Sequence, residues 1–342
     1  MIRPEDLLHP RPEGLYCPPA DLYIDPVRKV DRAVITHGHA DHARAGHGSV
    51  LATSETLALM AVRYGDAFAG TATALGYGQS VTCDGVSVTL VPAGHVLGSA
   101  QVVLRWKGLT VTVSGDYKRS PDPTCAPFEP TPSDVFVTEA TFGLPVFHHP
   151  PAADEVARLL ASLGQFPDRT HLVGAYSLGK AQRLIRLIRN AGYDETIHVH
   201  SSLTRINAVY ERFGVDLGPL AQPATGVAPG AEAQYAGQLV IGPPSTFSTP
   251  WAQRFPDPLI AFASGWMRVR GRARQQGVEL PLIVSDHADW PELIATVAEL
   301  APRELWITHG REEALSRWCA LNGQPARPLA LVGYGEGGDD TE

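Results

Sequence analysis

Four side chains of the types that can bind metals lie within six residues of one another in this chain, in the segment His37-Gly-His39-Ala-Asp41-His42. The segment follows Ala33–Thr36, whose apolar and β-branched residues predict a buried strand. Two histidines spaced i, i+2 in extended backbone face the same side and can share one cation, and a turn then presents Asp41 and His42 to a neighbouring point. Imidazole and carboxylate groups without a thiolate suit Zn²⁺ or Mn²⁺. The segment therefore predicts a metal site.

One such segment supplies too few ligands for two metal ions, so further ligands must come from elsewhere in the chain. Three candidates each stand just beyond an apolar strand: His95, Asp116 and His309. A single residue of this kind is more often structural, but three of them at strand ends that can meet His37 favour a shared site. The four cysteines are scattered without C-x-x-C spacing, which indicates reduced structural thiols and neither a disulfide framework nor a thiolate zinc site.

These residues resemble the metallo-β-lactamase-fold hydrolases, whose signature matches the segment 37–42. The resemblance implies a ligand set for two divalent metal ions, Zn²⁺ or Mn²⁺: His37, His39 and His95 for the first, Asp41, His42 and His309 for the second, and Asp116 as the bridging carboxylate. It also implies that Asp25 orients the histidine-rich loop and that Asp41 belongs to the catalytic residues.

Two further motifs resemble those of the β-CASP nucleases within this fold. Glu139, in Thr138-Glu139-Ala-Thr141-Phe142-Gly143, matches the first motif, and His287, in Ser285-Asp286-His287-Ala-Asp289, matches the second. Asp286 departs from the Ala or Gly of many relatives. Through segments such as 114–119 and 176–182, the chain is similar to the bacterial DNA ligase-associated exonucleases, relatives of the DNA cross-link repair nucleases, over residues 12–320.

The fold class that follows is α/β, a metallo-β-lactamase αββα sandwich with an inserted β-CASP-like α/β domain. We predict the first part of the sandwich over residues 1–146, the insertion over 147–274, and the second part, with an acidic tail, over 275–342. Residues 21–142 read as short strands with one helix at Ser54–Tyr64, for which Ser54 is the predicted N-cap. Alternating strands and helices then predict the α/β insertion.

Nucleic-acid contacts are expected at two places in the insertion. Ser177-Leu-Gly-Lys180 opens a predicted helix, where free N–H groups favour an anion. Arg268, Arg270, Arg272 and Arg274 alternate, so in extended backbone all four would project from one face. Lys118 and Arg119 are further candidates. In each case an ordinary solvated charged surface is the alternative.

The resemblance implies a two-metal phosphodiester hydrolase, a DNA exonuclease that acts on single-stranded DNA from the 5′ end in repair. We expect His287, oriented by Glu139, to protonate the leaving oxygen; the alternative is a structural ion pair between these two residues. An RNA-processing ribonuclease of the same superfamily, a non-catalytic nucleic-acid binding module and a small-ester hydrolase are the other functions considered.

Single-stranded DNA is the expected partner, with a DNA ligase or helicase of a repair pathway implied by the resemblance. The net charge of −8 argues against a protein coated in basic charge, although it leaves room for a local basic groove. No segment predicts a secretory signal or a membrane span, so we expect a soluble cytoplasmic protein.

Overall fold

The computed structural model describes residues 2–224, 234–255 and 257–329. These residues form two compact units, the first from residues 2–148 and 287–329 and the second from residues 149–286. None of the helices in the described ranges is both long enough and apolar enough to cross a membrane.

The elements run in chain order through the first unit, the second unit and the first unit again. The opening segment contains β1 (His9–Arg11), β2 (Gly14–Cys17), β3 (Leu22–Ile24), β4 (Arg32–Val34), β5 (His47–Ala52), β6 (Ala69–Ala74), β7 (Ser80–Cys83), β8 (Val86–Pro92), β9 (Ala100–Trp106), β10 (Leu109–Val113) and β11 (Val135–Ala140), with helices α1 (Pro4–Leu7) and α2 (Ser54–Tyr64). The second unit contains α3 (Ala152–Gln165), β12 (His171–Gly174), α4 (Lys180–Asn190), β13 (Ile197–Val199), α5 (Ser201–Arg212), β14 (Leu220–Ala221), β15 (Leu239–Gly242), β16 (Leu259–Ala263), α6 (Arg270–Gln275) and β17 (Leu280–Leu282). The closing segment contains α7 (Trp290–Leu300), β18 (Glu304–Gly310), α8 (Glu312–Leu321) and β19 (Ala326–Pro328).

The first unit is a sandwich of two sheets, ordered β1-β2-β3-β4-β5-β6 and β19-β18-β11-β10-β9-β8-β7. Buried side chains of both sheets, such as Ile24, Val34, Val102 and Val113, pack into one core. Helix α2 covers the first sheet through Met60, whereas α7 and α8 cover the second sheet. The layer order is therefore αββα, and the predicted fold class is confirmed.

The second unit is built around one parallel sheet, ordered β14-β13-β15-β12-β16-β17. Parallel neighbours need crossover connections, and the helices α4 and α5 supply them between successive strands. The sheet is buried at its centre, where β12, β15 and β16 are almost continuously apolar.

Several boundaries differ from the sequence-based predictions. The N-cap of α2 is Thr53, whose hydroxyl accepts a hydrogen bond from the Thr56 N–H at 3.2 Å, so the prediction of Ser54 was wrong by one residue. The second unit extends to residue 286, whereas the predicted insertion ends at 274, because β17 pairs with β16 and belongs to that sheet. The predicted acidic tail at 330–342 lies outside the described residues.

The backbone over residues 268–274 is not extended, so the four arginines do not project from one face as they would in a strand. Residues Gly265–Arg268 form a short 3₁₀ turn and Arg270–Gln275 form helix α6. Arginine, alanine and glutamine have high helix propensity, and Ala273 is buried in one apolar cluster with Phe262 of β16. The alternation of arginines was therefore no evidence of a strand.

Candidate metal centre

The predicted metal ligands lie close to strand ends in the first unit. Four of them occupy comparable places in the fold: His37 shortly after β4, His95 after β8, Asp116 after β10, and His309 near the end of β18. The chain reaches Asp116 through a turn at Gly115, whose φ of +57° is left-handed and whose Cβ, if present, would lie 2.8 Å from Thr36 Cβ. Glycine alone satisfies both constraints at this position.

Three imidazole rings and one carboxylate converge in a first cluster. His39 Nδ1 lies 3.1 Å from His37 Nε2 and 3.0 Å from His95 Nε2. Asp116 Oδ2 lies 3.5 Å from His37 Nε2 and 3.8 Å from His95 Nε2. Zn–N bonds of about 2.0–2.1 Å put two nitrogens of a tetrahedral site about 3.3 Å apart. The cluster has nearly this spacing, so its residues fit a divalent ion.

A second cluster is formed by His42, Asp116 and His309. His42 Nε2 lies 3.4 Å from Asp116 Oδ2, and His309 Nε2 lies 3.0 Å from Asp116 Oδ1. Asp41 is more peripheral, because its Oδ2 lies 3.7 Å from His42 Nε2 and its side chain is 31% exposed. Asp116 belongs to both clusters and thus occupies the bridging position that the resemblance implies.

Burial and neighbouring charges set the protonation states in these clusters. Burial, together with the nearby His42, holds the pKa of His37 well below its usual range, so this ring is neutral at pH 7. Burial alone would raise the pKa of Asp116, but His42 and His287 outweigh burial and hold it well below its usual range. Burial also opposes charge on His42, yet Asp116 and Asp41 raise the pKa of His42 well above its usual range. Metal binding at His42 must therefore displace a proton.

Two threonines orient two of the ligand rings, which our sequence analysis missed. The tetrapeptide Ile-Thr-His-Gly occurs at residues 35–38 and again at residues 307–310. Thr36 Oγ1 contacts His37 Nδ1 at 3.0 Å, and Thr308 Oγ1 contacts His309 Nδ1 at 3.1 Å. Each contact leaves Nε2 of the ring directed at Asp116. The repeated tetrapeptide was the sequence signal that would have identified both threonines.

Asp25 supports the second cluster from behind. Its carboxylate accepts hydrogen bonds from the Thr36 N–H at 2.7 Å and the Thr36 hydroxyl at 2.5 Å, and it lies 2.7 Å from His42 Nδ1. Because Nδ1 of His42 faces Asp25, Nε2 of the same ring faces Asp116. Asp25 has a φ of +45°, a left-handed conformation that Asp adopts more readily than most residues.

Glu139 links His287 to the backbone beside Asp116. Glu139 Oε2 lies 3.0 Å from His287 Nδ1, and Glu139 Oε1 accepts a hydrogen bond from the Tyr117 N–H at 2.8 Å. The Tyr117 carbonyl accepts a hydrogen bond from the Ala288 N–H at 2.6 Å. His287 Nδ1 lies 3.9 Å from Asp116 Oδ2. With Nδ1 directed at Glu139, Nε2 is the ring atom positioned to exchange a proton.

A buried ion pair joins the loop after Asp116 to the start of α7. Glu292 accepts hydrogen bonds from Lys118 Nζ at 2.7 Å, from the Ser120 N–H at 2.7 Å and from the Ser120 hydroxyl at 2.5 Å. Burial alone would raise the pKa of Glu292, but Lys118 and Ser120 lower it, so the carboxylate is charged at pH 7. Lys118 is therefore part of the scaffold, and it does not present its charge to nucleic acid.

The Ser177–Lys180 turn differs from the predicted phosphate site. Lys180 is fully buried, and its Nζ lies 3.1 Å from Asp286 Oδ1. The Gly179 N–H at the helix start donates to Gln182 Oε1 at 2.8 Å, so this donor is already used within the helix. Ser177 is half-buried, and its carbonyl accepts from Gln182 Nε2 at 2.9 Å. In this arrangement Lys180 stabilises the second unit, and the prediction that it contacts phosphate is corrected.

The arginines of the second candidate site reach the surface. Arg268, Arg270 and Arg274 are exposed, whereas the Arg272 guanidinium lies 4.1 Å from the centre of the Trp266 ring. That Arg268 and Arg270 contact nucleic acid stays a prediction. Arg268 ends the 3₁₀ turn and Arg270 begins α6.

Comparisons with known proteins agree with this geometry. No family model matches the chain. It is 28% identical over 325 residues to a probable DNA ligase of Opitutus terrae, a match that covers 89% of this chain and 30% of that protein. It is 33% identical over 134 residues to the endoribonuclease ysh1 of Aspergillus fumigatus, covering 38% of this chain and 15% of the relative. It is also 33% identical over 116 residues to cleavage and polyadenylation specificity factor subunit 3 of Dictyostelium discoideum, covering 33% and 15%. The chain thus spans less than a third of the length of these relatives.

A solved structure supports the same fold at lower identity. A protein of unknown function from Enterococcus faecalis V583 superposes with a TM-score of 0.58 and 14% identity, over 89% of this chain and 80% of that one. Ysh1 and the cleavage factor subunit are β-CASP proteins. Their similarity to this chain agrees with the αββα sandwich and the two histidine clusters of the structure. These similarities are consistent with a β-CASP metallo-β-lactamase nuclease. The chain also carries His/Asp clusters that fit divalent metal ions.

The two clusters predict how metal content depends on single ligands. His37→Ala removes a ligand of the first cluster and His309→Ala one of the second, so each variant should retain about one ion where the unchanged protein retains two. Asp116→Ala should retain neither ion at full occupancy. Metal analysis after dialysis measures this, with His148→Ala, an exposed imidazole outside both clusters, as the control. Equal metal content in all four proteins would contradict the assignment of these ligands.

The buried pair predicts unequal costs for two glutamates of α7. Glu292→Gln leaves Lys118 buried without a charged partner, so the free energy of unfolding should fall by about 2 kcal/mol. Glu299→Gln removes the Arg119 pair, in which Glu299 is 46% exposed, and should cost less than about 1 kcal/mol. Urea unfolding measures these free energies for both single variants and for the double variant that combines Lys118→Met with Glu292→Gln. Equal losses for the two single variants would refute it.

Proposed function

We propose that this chain is a metal-dependent phosphodiesterase that degrades single-stranded DNA from the 5′ end in a repair pathway. The observation that carries the proposal is the position of Asp116 between two imidazole clusters, with His287 3.9 Å from the same carboxylate. An acid–base residue next to a centre that could hold two divalent ions, Zn²⁺ or Mn²⁺, supports the proposal, because both groups accelerate phosphodiester hydrolysis.

Two divalent ions held here would act as Lewis acids on the phosphate and lower the pKa of bound water. The side chains divide the remaining work. Glu139 faces Nδ1 of His287 at 3.0 Å, which fixes the orientation of the ring. His287 Nε2 then delivers a proton to the departing sugar oxygen. Asp25 and Thr36 hold His42 and His37 so that their Nε2 atoms stay directed at Asp116.

DNA is favoured as the substrate by the extent of the similarities. The relative named a probable DNA ligase matches 89% of this chain, whereas the relatives named endoribonucleases match 33–59%. The same comparison supports a DNA ligase as a partner, because the Opitutus protein contains the similar region as 30% of its length. A nuclease that trims ends before ligation is consistent with that arrangement. The 5′ polarity and the preference for single strands rest on the resemblance to ligase-associated exonucleases.

RNA hydrolysis is the alternative function. The 33% identity to the Aspergillus and Dictyostelium proteins favours it, since one is named an endoribonuclease and the other a cleavage factor. The metal centre would be used in the same way on either substrate, and contacts to the 2′-hydroxyl would distinguish them.

Labelled oligonucleotides should reveal sugar preference and direction together. Purified protein is incubated with 5′-labelled and 3′-labelled DNA and RNA strands in Mn²⁺, Zn²⁺ or Mg²⁺. We expect a 3′-labelled DNA strand to give a ladder of shortening products, while the 5′ label is released as a mononucleotide. Cleavage of RNA in preference to DNA would select the alternative, and no metal-dependent cleavage of either strand would refute the proposal.

The proposed proton transfer predicts a large kinetic effect at His287. His287→Ala should lower kcat by about 10²–10⁴-fold, since a positioned acid contributes about that much. Its metal content should stay unchanged, because His287 is not among the assigned ligands. Glu139→Gln should lower kcat less and shift its pH dependence. A loss below tenfold for His287→Ala with full metal content would end the general-acid role.

A further inference from the structure

The second unit contains an apolar pocket that the proposed chemistry does not use. Its volume is about 450 Å³, and its walls include Phe247, Phe262, Ile260 and Val278, with Ser248 and Gln276 at the edge. Phe247 and Phe262 approach each other over Gly174 of β12, where an added Cβ would lie 3.0 Å from Phe262 and 3.3 Å from Phe247. A pocket of this size, with two aromatic rings and a few polar groups, has the properties of a small-ligand site.

A concentration of positive charge adjoins this pocket. Residues 258–278 contain four arginines and no acidic residue. Three of these arginines lie on helix α6, and the residues that follow this helix, Gln276, Gly277 and Val278, line the pocket. The nearest acid in sequence, Glu279, is already bound by Arg169 through two contacts of 2.9 Å.

The charges of Arg270 and Arg274 have no acidic partner in the described ranges. Both are exposed, and neither forms an ion pair with any residue in the described ranges. They stand at i and i+4 on α6, so they share one helix face, where like charges repel. An anion between them would relieve that repulsion. A ligand that suits this region would combine a flat apolar group with an adjacent negative charge.

We propose that this pocket, which we call the Phe247 pocket, binds one nucleobase of the DNA strand while Arg270 and Arg274 bind the neighbouring phosphates. The proposal rests on the proposed function, because it assigns a second contact to the same substrate. Proteins that hold single strands without sequence preference combine aromatic stacking with a positively charged surface, and the Phe247 pocket and α6 offer both. The site anchors the strand in the second unit and takes no part in bond cleavage.

Binding of a non-cleavable strand tests the proposal. A phosphorothioate oligonucleotide with one 2-aminopurine reports stacking by fluorescence, and its Kd is measured over a range of salt concentrations. Phe247→Ala should weaken binding about tenfold, since one stacked base contributes about that much or more. Arg270→Gln with Arg274→Gln should lower the slope of log Kd against log salt by about 1.4, for two lost phosphate contacts.

Matched variants separate the pocket from general effects. Phe166→Ala removes a phenylalanine that is 39% exposed just after α3, and Arg205→Gln removes an exposed arginine on α5; both should bind like the unchanged protein. Ser248→Trp adds an indole at the exposed edge of the pocket and should reproduce the loss without removing a packed side chain. Hydrolysis of bis-p-nitrophenyl phosphate should be equal in all variants, because this small ester needs no strand anchor.

The outcomes distinguish this proposal from the proposed function. If the unchanged protein cleaves and binds DNA but Phe247→Ala and Ser248→Trp bind equally well, the Phe247 pocket has no such role while the nuclease stands. If the unchanged protein neither binds nor cleaves a strand, the proposed function fails first. Titration with deoxyadenosine monophosphate shows whether the pocket binds only nucleotides within a strand or free nucleotides as well. Binding of the strand alone indicates a substrate anchor, and Phe247-dependent binding of the free nucleotide as well indicates that the pocket also accepts released product.

Discussion

A single buried carboxylate holds the metal centre together. Asp116 is 3% exposed and lies within 4 Å of nitrogens from His37, His42, His95, His287 and His309. A lone charge at this depth would be costly, and it persists because every side of it faces an imidazole. The positive potential of a bound cation would strengthen the same arrangement, whereas loss of Asp116 would leave several rings with no common partner. Strand β10 and the turn at Gly115 bring this carboxylate to the junction of the two clusters.

The rings around Asp116 are aimed by a layer of ordinary polar residues. Thr36, Thr308 and Asp25 each engage the Nδ1 atom of a histidine, and Glu139 does the same for His287. This choice determines which ring nitrogen faces the metals, since the other is already occupied. The site therefore depends on residues that carry no metal-binding chemistry of their own. Beyond them, Glu292 and Lys118 fix the loop that follows Asp116 against α7, so the support extends into the helical layer.

Most residues that the sequence suggests as metal ligands come together in the structure, because they are close in sequence or lie at strand ends. The segment 37–42 places four ligands by spacing alone, and apolar strands locate His95, Asp116 and His309 where a sheet would bring them together. The arginines at 268–274 show where such reasoning fails: their alternation would put them on one face only in a strand, but residues 270–275 form a helix in which Ala273 is buried. The prediction that Lys180 contacts phosphate fails for another reason. Its partner Asp286 is over 100 positions away in the sequence, and no local pattern indicates a buried ion pair. Long-range ion pairs and tertiary packing were thus beyond prediction, while strand-end ligands were not.

The pairing of β11 with β18 has a consequence for the synthesis of the protein. These strands are neighbours in the sheet, with Phe136 opposite Leu305 and Val137 opposite Trp306, yet the whole second unit is translated between them. On the ribosome, β11 emerges long before its partner, and the first unit keeps an open sheet edge until residues 304–310 have been made. His309 lies on that strand. A nascent chain therefore lacks one ligand of the second cluster until β18 has emerged.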